Sequence, residues 1–282
     1  MLTSETREHF DCYFLENVEI YELDDLNNYD LSALRIDRRW SEFCYAAGPI
    51  FMDFLANKLK SGEVLGYIDA DCFFYNDINL GLLDLNESTQ IQIHEHRFSN
   101  DRSGWEEKSG RFNVGLVLGL IGIEFKSCLK RWSKQVQKNS SIDFDLGVCG
   151  DQKYLDEWPQ LYRTLGINEH LGIGVGPWNL NNSHITTLGE IVFVDKFPLI
   201  FYHFHGLEIY YMNRFVTIWR AAPGYNLNRN DYYPIYCKYI KSLMGQLNAN
   251  NNIRYFCNKR ISTRLTIKNA ILRRFHISFV FR

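Results

Sequence analysis

Val64-Leu65-Gly66-Tyr67-Ile68-Asp69-Ala70-Asp71-Cys72-Phe73-Phe74 is the stretch that decides how this chain is read. Its first half, Val64 to Ile68, is a short apolar run of the kind buried parallel strands carry. Two carboxylates follow where the run ends. On extended backbone, positions i and i+2 share a face, so Asp69 and Asp71 can reach one hard cation. In open α/β sheets, ligands gather at the carboxyl ends of strands. A divalent ion held there can clamp a diphosphate and neutralise charge on a leaving group. The competing reading is a solvated turn, because D-x-D often arises by chance.

Outward from this stretch, strand-like and helix-like segments alternate, the pattern of an α/β layer architecture. Strands are expected at residues 18–23, 64–68, 90–94, 114–121, 191–194 and 199–202. Helices are expected at residues 40–59, ended by Ser61-Gly62, and at 123–137. A polar loop at 138–143 precedes a short helix over 151–158, with Pro159 as its stop. The fold class expected is α/β: a mixed, mostly parallel sheet flanked by helices. Beyond Tyr232 the pattern turns helical and basic, with an Asn-rich break at 248–252.

Composition excludes several classes. With 46% hydrophobic and 23% charged residues over 282 positions, the chain is neither disordered, collagen-like nor a coiled coil. The 15% aromatic content hints at a site for flat or ring-shaped ligands, although aromatics are core material first. Seven cysteines without a CxxC pair read as buried thiols in a reducing compartment. The N-terminal residues lack a signal-peptide pattern, and no run approaches the length of a membrane span. A cytoplasmic location is expected.

Charge is distributed unevenly. All 33 acidic side chains lie at or before Asp231, together with 21 of the 31 basic ones. Residues 232–282 hold the other ten basic groups and no acid. The domain division expected is therefore 1–231 and a basic helical extension, 232–282. Arg260, Arg264, Lys268, Arg273 and Arg274 alternate with apolar residues, as in an amphipathic helix at an anionic membrane surface. Such a helix gains about 1 kcal/mol per basic residue near the surface. The extension would then hold the protein at the inner face of the cell membrane. The alternative is a helical bundle that packs against the acidic body. Nucleic acid is not an expected partner, since nothing in the body resembles a nucleic-acid fold.

Four further motifs carry chemistry. Phe112-Asn113-Val114-Gly115 offers an amide donor and acceptor beside a glycine that admits a ligand to the backbone. Gly150-Asp151-Gln152 stands at a helix entrance, where Asp151 could equally be a plain N-cap. Gly174-Val-Gly176-Pro177-Trp178-Asn179-Leu180 follows. Tyr202-His203-Phe204-His205-Gly206 supplies imidazoles that would complete a carboxylate-held metal shell. Spacing alone does not separate His203 from His205.

In this order along one chain, D-x-D, F-N-x-G, D-Q, P-W-N and H-F-x-G resemble the nucleotide-sugar glycosyltransferases of the glycosyltransferase A fold. The likeness spans about residues 10–210 and is nearest to the retaining, bacterial surface-polysaccharide type. Glu95-His96-Arg97-Phe98 and the run from Gly150 to Pro159 add to it. The resemblance implies that Asp69, Asp71 and His203 hold Mn²⁺ or Mg²⁺. It implies that Arg38 or Arg39 contacts the donor. Asn113, Asp151 and Gln152 would line the sugar, the last two in the catalytic positions. Glu95, His96 and Arg97 would stand at the rim, with Trp178 and Asn179 in the substrate wall. If the reaction inverts, Asp151 or Glu95 would be its base.

The implied partners are a nucleoside diphosphate sugar donor and a glycan or glycolipid acceptor. Such folds open with a β-α-β unit that holds the nucleotide base. Only about seventeen residues precede Val18, so roughly 40–60 residues of that unit are expected to be lacking. A non-catalytic carbohydrate- or partner-binding relic of such an enzyme is the alternative. A phosphotransferase using the same acidic pair should carry a Gly-rich phosphate loop, and none is seen.

Overall fold

The computed structural model describes residues 17–26, 29, 31–212, 215–220, 222 and 224–249. Its elements are α1 (Leu31–Asp37), α2 (Trp40–Lys58), β1 (Val64–Ile68), β2 (Cys72–Phe74), β3 (Ile91–Glu95), α3 (Trp105–Ser109), β4 (Phe112–Leu120) and α4 (Ile123–Lys138). Then come β5 (Ile142–Asp143), β6 (Val148–Cys149), α5 (Trp158–Leu161), β7 (Leu165–Asn168), β8 (Ile185–Leu188), β9 (Ile191–Val194) and β10 (Phe197–Pro198). The last are β11 (Phe201–His203), β12 (Glu208–Met212), β13 (Phe215–Arg220) and α6 (Arg229–Ala249). The fold is mixed α/β, and it divides into two compact units. The first takes in the described residues up to Ile68, Leu83–Glu95 and Gly104–Ile167. The second takes in Asp69–Leu82, His96–Ser103 and the described residues from Asn168 onward.

The first unit is a four-stranded sheet, order β1-β4-β3-β7, with α2 and α4 packed together beside it. Helix α4 buries Phe125, Cys128, Leu129, Trp132, Ser133 and Val136, the 3–4 spacing of one helical face. Helix α2 buries Phe43, Ala46, Ala47, Ile50 and Ala56 in the same manner. Each large side chain buried this way contributes about 1.5–3 kcal/mol. Asp53, buried in that face, accepts the Tyr29 hydroxyl at 2.8 Å. Gly119 of β4 lies so close to its neighbours that a Cβ would stand 2.4 Å from the Gln90 carbonyl oxygen.

The expected mostly parallel sheet is corrected here. Strand β4 runs antiparallel to both β1 and β3, with Tyr67 opposite Val117 and His94 opposite Asn113. Strand β1 is an edge strand in which only Leu65 is fully buried. The doubly covered strand is β4, buried from Phe112 to Gly119. Burial on both faces makes a strand apolar whichever way its neighbours run, so the apolar run could not report direction.

Two local expectations also change. Residues 18–23 form no strand: Val18 is exposed, and Tyr21 packs edge-on against Phe51 and Phe54 of α2 before a 3₁₀ turn at Leu23–Asp25. Residues Gln152–Glu157 form a 3₁₀ turn that runs into α5, and Pro159 lies in the first turn of α5. There its missing N–H removes no helical bond, so the proline begins a helix and does not stop one.

The second unit contains the β8–β9–β10 meander, the β2–β11 pair and the β12–β13 pair. Its core is aromatic: Tyr202, Phe204, Tyr232 and Tyr236 are buried, with Phe73 and Tyr239 packed on them. Helix α6 buries Tyr232, Ile235, Tyr236 and Ile240 in this core, and Tyr75 Oη donates to the Ile235 carbonyl at 2.6 Å. The boundary expected at 231/232 therefore falls inside a helix of this unit. The basic stretch from residue 250 onward lies outside the described residues.

Candidate metal centre

Strands β2 and β11 build the site. They pair antiparallel, with His203 opposite Cys72, and the Phe204 N–H donates to the Asp71 carbonyl at 2.7 Å. The His203 N–H donates to the Val175 carbonyl at 2.8 Å, which fixes the opposite edge of β11. Because side chains alternate along extended backbone, Tyr202 and Phe204 enter the aromatic core while His203 points away from it. Strand β11 ends at His203, and His205 lies in the turn that follows.

Ligand atoms of Asp71, His203 and His205 all lie within 4.8 Å of one another. His203 Nε2 is 2.9 Å from Asp71 Oδ1 and 3.7 Å from Asp69 Oδ2. Bonds of about 2.1 Å in an octahedral shell put neighbouring donor atoms roughly 3 Å apart and opposite ones about 4.2 Å apart. The His203–Asp71 separation matches the spacing of neighbouring donors. Carboxylate oxygen with imidazole nitrogen is also a donor set that divalent manganese accepts. His203 Nδ1 is buried and has no hydrogen-bond partner among the described residues.

Burial and neighbouring charges shift Asp71 and His205. Burial pushes the Asp71 carboxyl up, but the hydrogen bond and charge of His203, with the charge of His205, outweigh it and leave it below its ordinary value. Burial and the charge of His203 hold His205 low, with Asp71 opposing them, so its imidazole favours the neutral form. Burial, then the charges of Asp69 and Asp71, push the neighbouring Cys72 thiol far up.

Trp178 walls the centre. Its ring meets His203 edge-on at 5.1 Å, His205 at 6.1 Å and His96 at 5.5 Å. Asn179 secures the loop that carries Trp178, donating to the carbonyls of His96 at 2.7 Å and Gly174 at 2.9 Å while accepting the Gly176 N–H at 3.0 Å. Its amide is thus engaged by backbone. Arg97 has a left-handed φ of 52° and donates to the carbonyls of His170, Leu171 and Ile173. It lines a cavity of about 190 Å³ with Val175, Asn179 and Asp195.

The remaining sequence candidates belong to the first unit. Arg38 ties α2 to the end of α4 through the carbonyls of Val136 and Gln137 and through Ser140 Oγ. Arg39 is exposed and paired with Glu42. Glu95 pairs with Arg111 at 2.5 Å. Asn113 is buried, and its Oδ1 accepts the Gly115 N–H at 2.8 Å. Asp151 is buried without a capping hydrogen bond, and its carbonyl accepts the Trp132 indole N–H at 2.9 Å. Gln152 reaches Cys149 Sγ at 3.6 Å. Sequence reasoning missed Tyr225, whose ring meets His205 edge-on at 6.2 Å, and Arg102, which stacks on Tyr225. Neither sits in a motif that could have signalled it.

No protein-family model matches the chain. It is similar to two proteins of Bacillus subtilis strain 168. YfnD is 25% identical over 206 residues, covering 72% of this chain and 66% of that protein. YfnF is 29% identical over 199 residues, covering 68% of this chain and 66% of that protein. Both are described as uncharacterized, so the likeness brings relatives and no activity. No solved structure matches. Among the described residues, no helix is long and apolar enough to cross a membrane.

Proposed function

We propose that this chain is a divalent-metal-dependent glycosyltransferase of the glycosyltransferase A type. It would move a sugar from a nucleoside diphosphate donor to a hydroxyl of a glycan or glycolipid in surface-polysaccharide synthesis. The observation that carries this reading is the convergence of Asp71, His203 and His205, with Asp69 beside them, from segments far apart in sequence. Two carboxylates just before β2 and two imidazoles at and after the end of β11 suit Mn²⁺ or Mg²⁺ better than a solvated turn. Such an ion, when bound, supplies positive charge to a departing diphosphate.

The chain's own residues would do the rest. Asp69 and Asp71 give the centre the negative charge that retains a cation. His203 and His205 would add nitrogen donors. Trp178 excludes water from one side, which strengthens every charge interaction there. Asp151 and Gln152 are offered as the sugar-facing pair on the resemblance alone. The test is a screen of nucleoside diphosphate sugars with Mn²⁺, read by release of the nucleoside diphosphate. Release that needs metal and is lost in Asp71→Asn supports the proposal. Metal-dependent binding without release from any donor favours the non-catalytic relic.

A further inference from the structure

The carboxylates of the centre can offset one divalent cation, but a diphosphate brings further negative charge. Fixed positive groups are the general means of stabilising such charge. Two independent links tie one guanidinium, that of Arg102, to this centre. First, the turn Asn100–Arg102 hangs from Trp178: the Ser99 N–H donates to the Trp178 carbonyl at 2.9 Å, and the Arg102 N–H donates to the Ser99 carbonyl at 2.7 Å. Trp178 in turn packs on His203 and His205. Second, the Arg102 guanidinium lies 4.1 Å over the ring of Tyr225 and donates to the Gly224 carbonyl. The Tyr225 ring meets His205 edge-on.

One aromatic ring thus contacts both the guanidinium and a candidate ligand. Stacking occupies the face of the guanidinium and one Nη donates to the Gly224 carbonyl, while the N–H edge of a guanidinium is the part that binds phosphate oxygens in a fork. Asp101, the nearest carboxylate in the turn, is directed to Ser99 Oγ at 2.6 Å.

We propose that Arg102, seated on Tyr225, binds the diphosphate of the donor beside the metal centre. The proposal rests on the reading of that centre given above. Inorganic pyrophosphate is the probe, because it needs no knowledge of the base or sugar. Its affinity for the full chain is measured by calorimetry with and without Mn²⁺, and Mn²⁺ binding alone is followed by electron paramagnetic resonance. Arg102→Gln should lower pyrophosphate affinity about tenfold or more, since a charge-assisted hydrogen bond is lost. Arg102→Lys should fall between the two, Tyr225→Phe should keep the affinity, and Mn²⁺ binding alone should not change. Equal pyrophosphate affinity in Arg102→Gln overturns the proposal, as does an absence of pyrophosphate binding by the unaltered chain. A parallel loss of Mn²⁺ affinity in Arg102→Gln overturns it too, by showing a structural role. If the unaltered chain binds no Mn²⁺, the metal reading fails, and the metal-free pyrophosphate comparison still decides the role of Arg102.

Discussion

His203 Nε2 lies 2.9 Å from Asp71 Oδ1, and the backbone brings the two residues together: the Phe204 N–H bonds the Asp71 carbonyl, and His203 stands opposite Cys72. The β2–β11 ladder therefore holds the pair's backbone in place, as the proposed metal centre would require of its ligands.

The two histidines should contribute unequally. His203 faces both carboxylates from a buried strand end, whereas His205 reaches the cluster from the turn after that strand. His203→Ala should weaken Mn²⁺ binding more than His205→Ala does, by calorimetric titration of both variants. No loss in either variant would remove histidine from the shell.

His170 offers a pH dependence remote from the carboxylates. Its Nδ1 accepts the Gly172 N–H at 3.1 Å, which requires a neutral ring, and burial with the charge of Arg97 lowers its pKa from 6.5. A folded pKa below the unfolded one means stability is fully present above pH 6.5. It is lost as the pH falls through the folded value. Thermal melts should therefore weaken from pH 6.5 downward, and less steeply in His170→Asn, which keeps an acceptor and does not titrate. An identical slope in the two proteins would remove His170 as the cause.

Gly119 should tolerate no side chain. A Cβ there would meet the Gln90 carbonyl oxygen at 2.4 Å and the Phe125 ring at 2.7 Å, and neither backbone nor buried ring can easily yield. Gly119→Ala should cost about 1–3 kcal/mol in urea unfolding, the usual range for overpacking. Gly189→Ala is the contrast: its Cβ would meet nothing within 4 Å, so only the strain of its φ of 60° remains. Equal losses in the two would assign the Gly119 effect to backbone, not space.

Some of this was legible in the sequence for identifiable reasons. Helices α2 and α4 showed because their buried residues recur at 3–4 spacing. The run at residues 64–68 was read as a strand correctly and as parallel wrongly, since apolarity reports burial and not direction. Asp71 and His203 were legible as a D-x-D and a histidine after an apolar strand. That His205 would join them depended on the turn after β11, which spacing does not encode. Aromatic abundance suggested a stacking site, yet Tyr202, Phe204, Tyr232 and Tyr236 proved to be core. Tyr225 and Arg102 meet only in three dimensions, and no local pattern marks them.

The most direct test of the account is titration of the intact chain with Mn²⁺, set beside the same titration of Asp71→Asn, with circular dichroism confirming that both are folded. The account predicts saturable binding of a single ion by the unaltered chain, weakened at least about tenfold by the substitution. Unchanged Mn²⁺ affinity in Asp71→Asn, or no saturable binding by the unaltered chain, would contradict it.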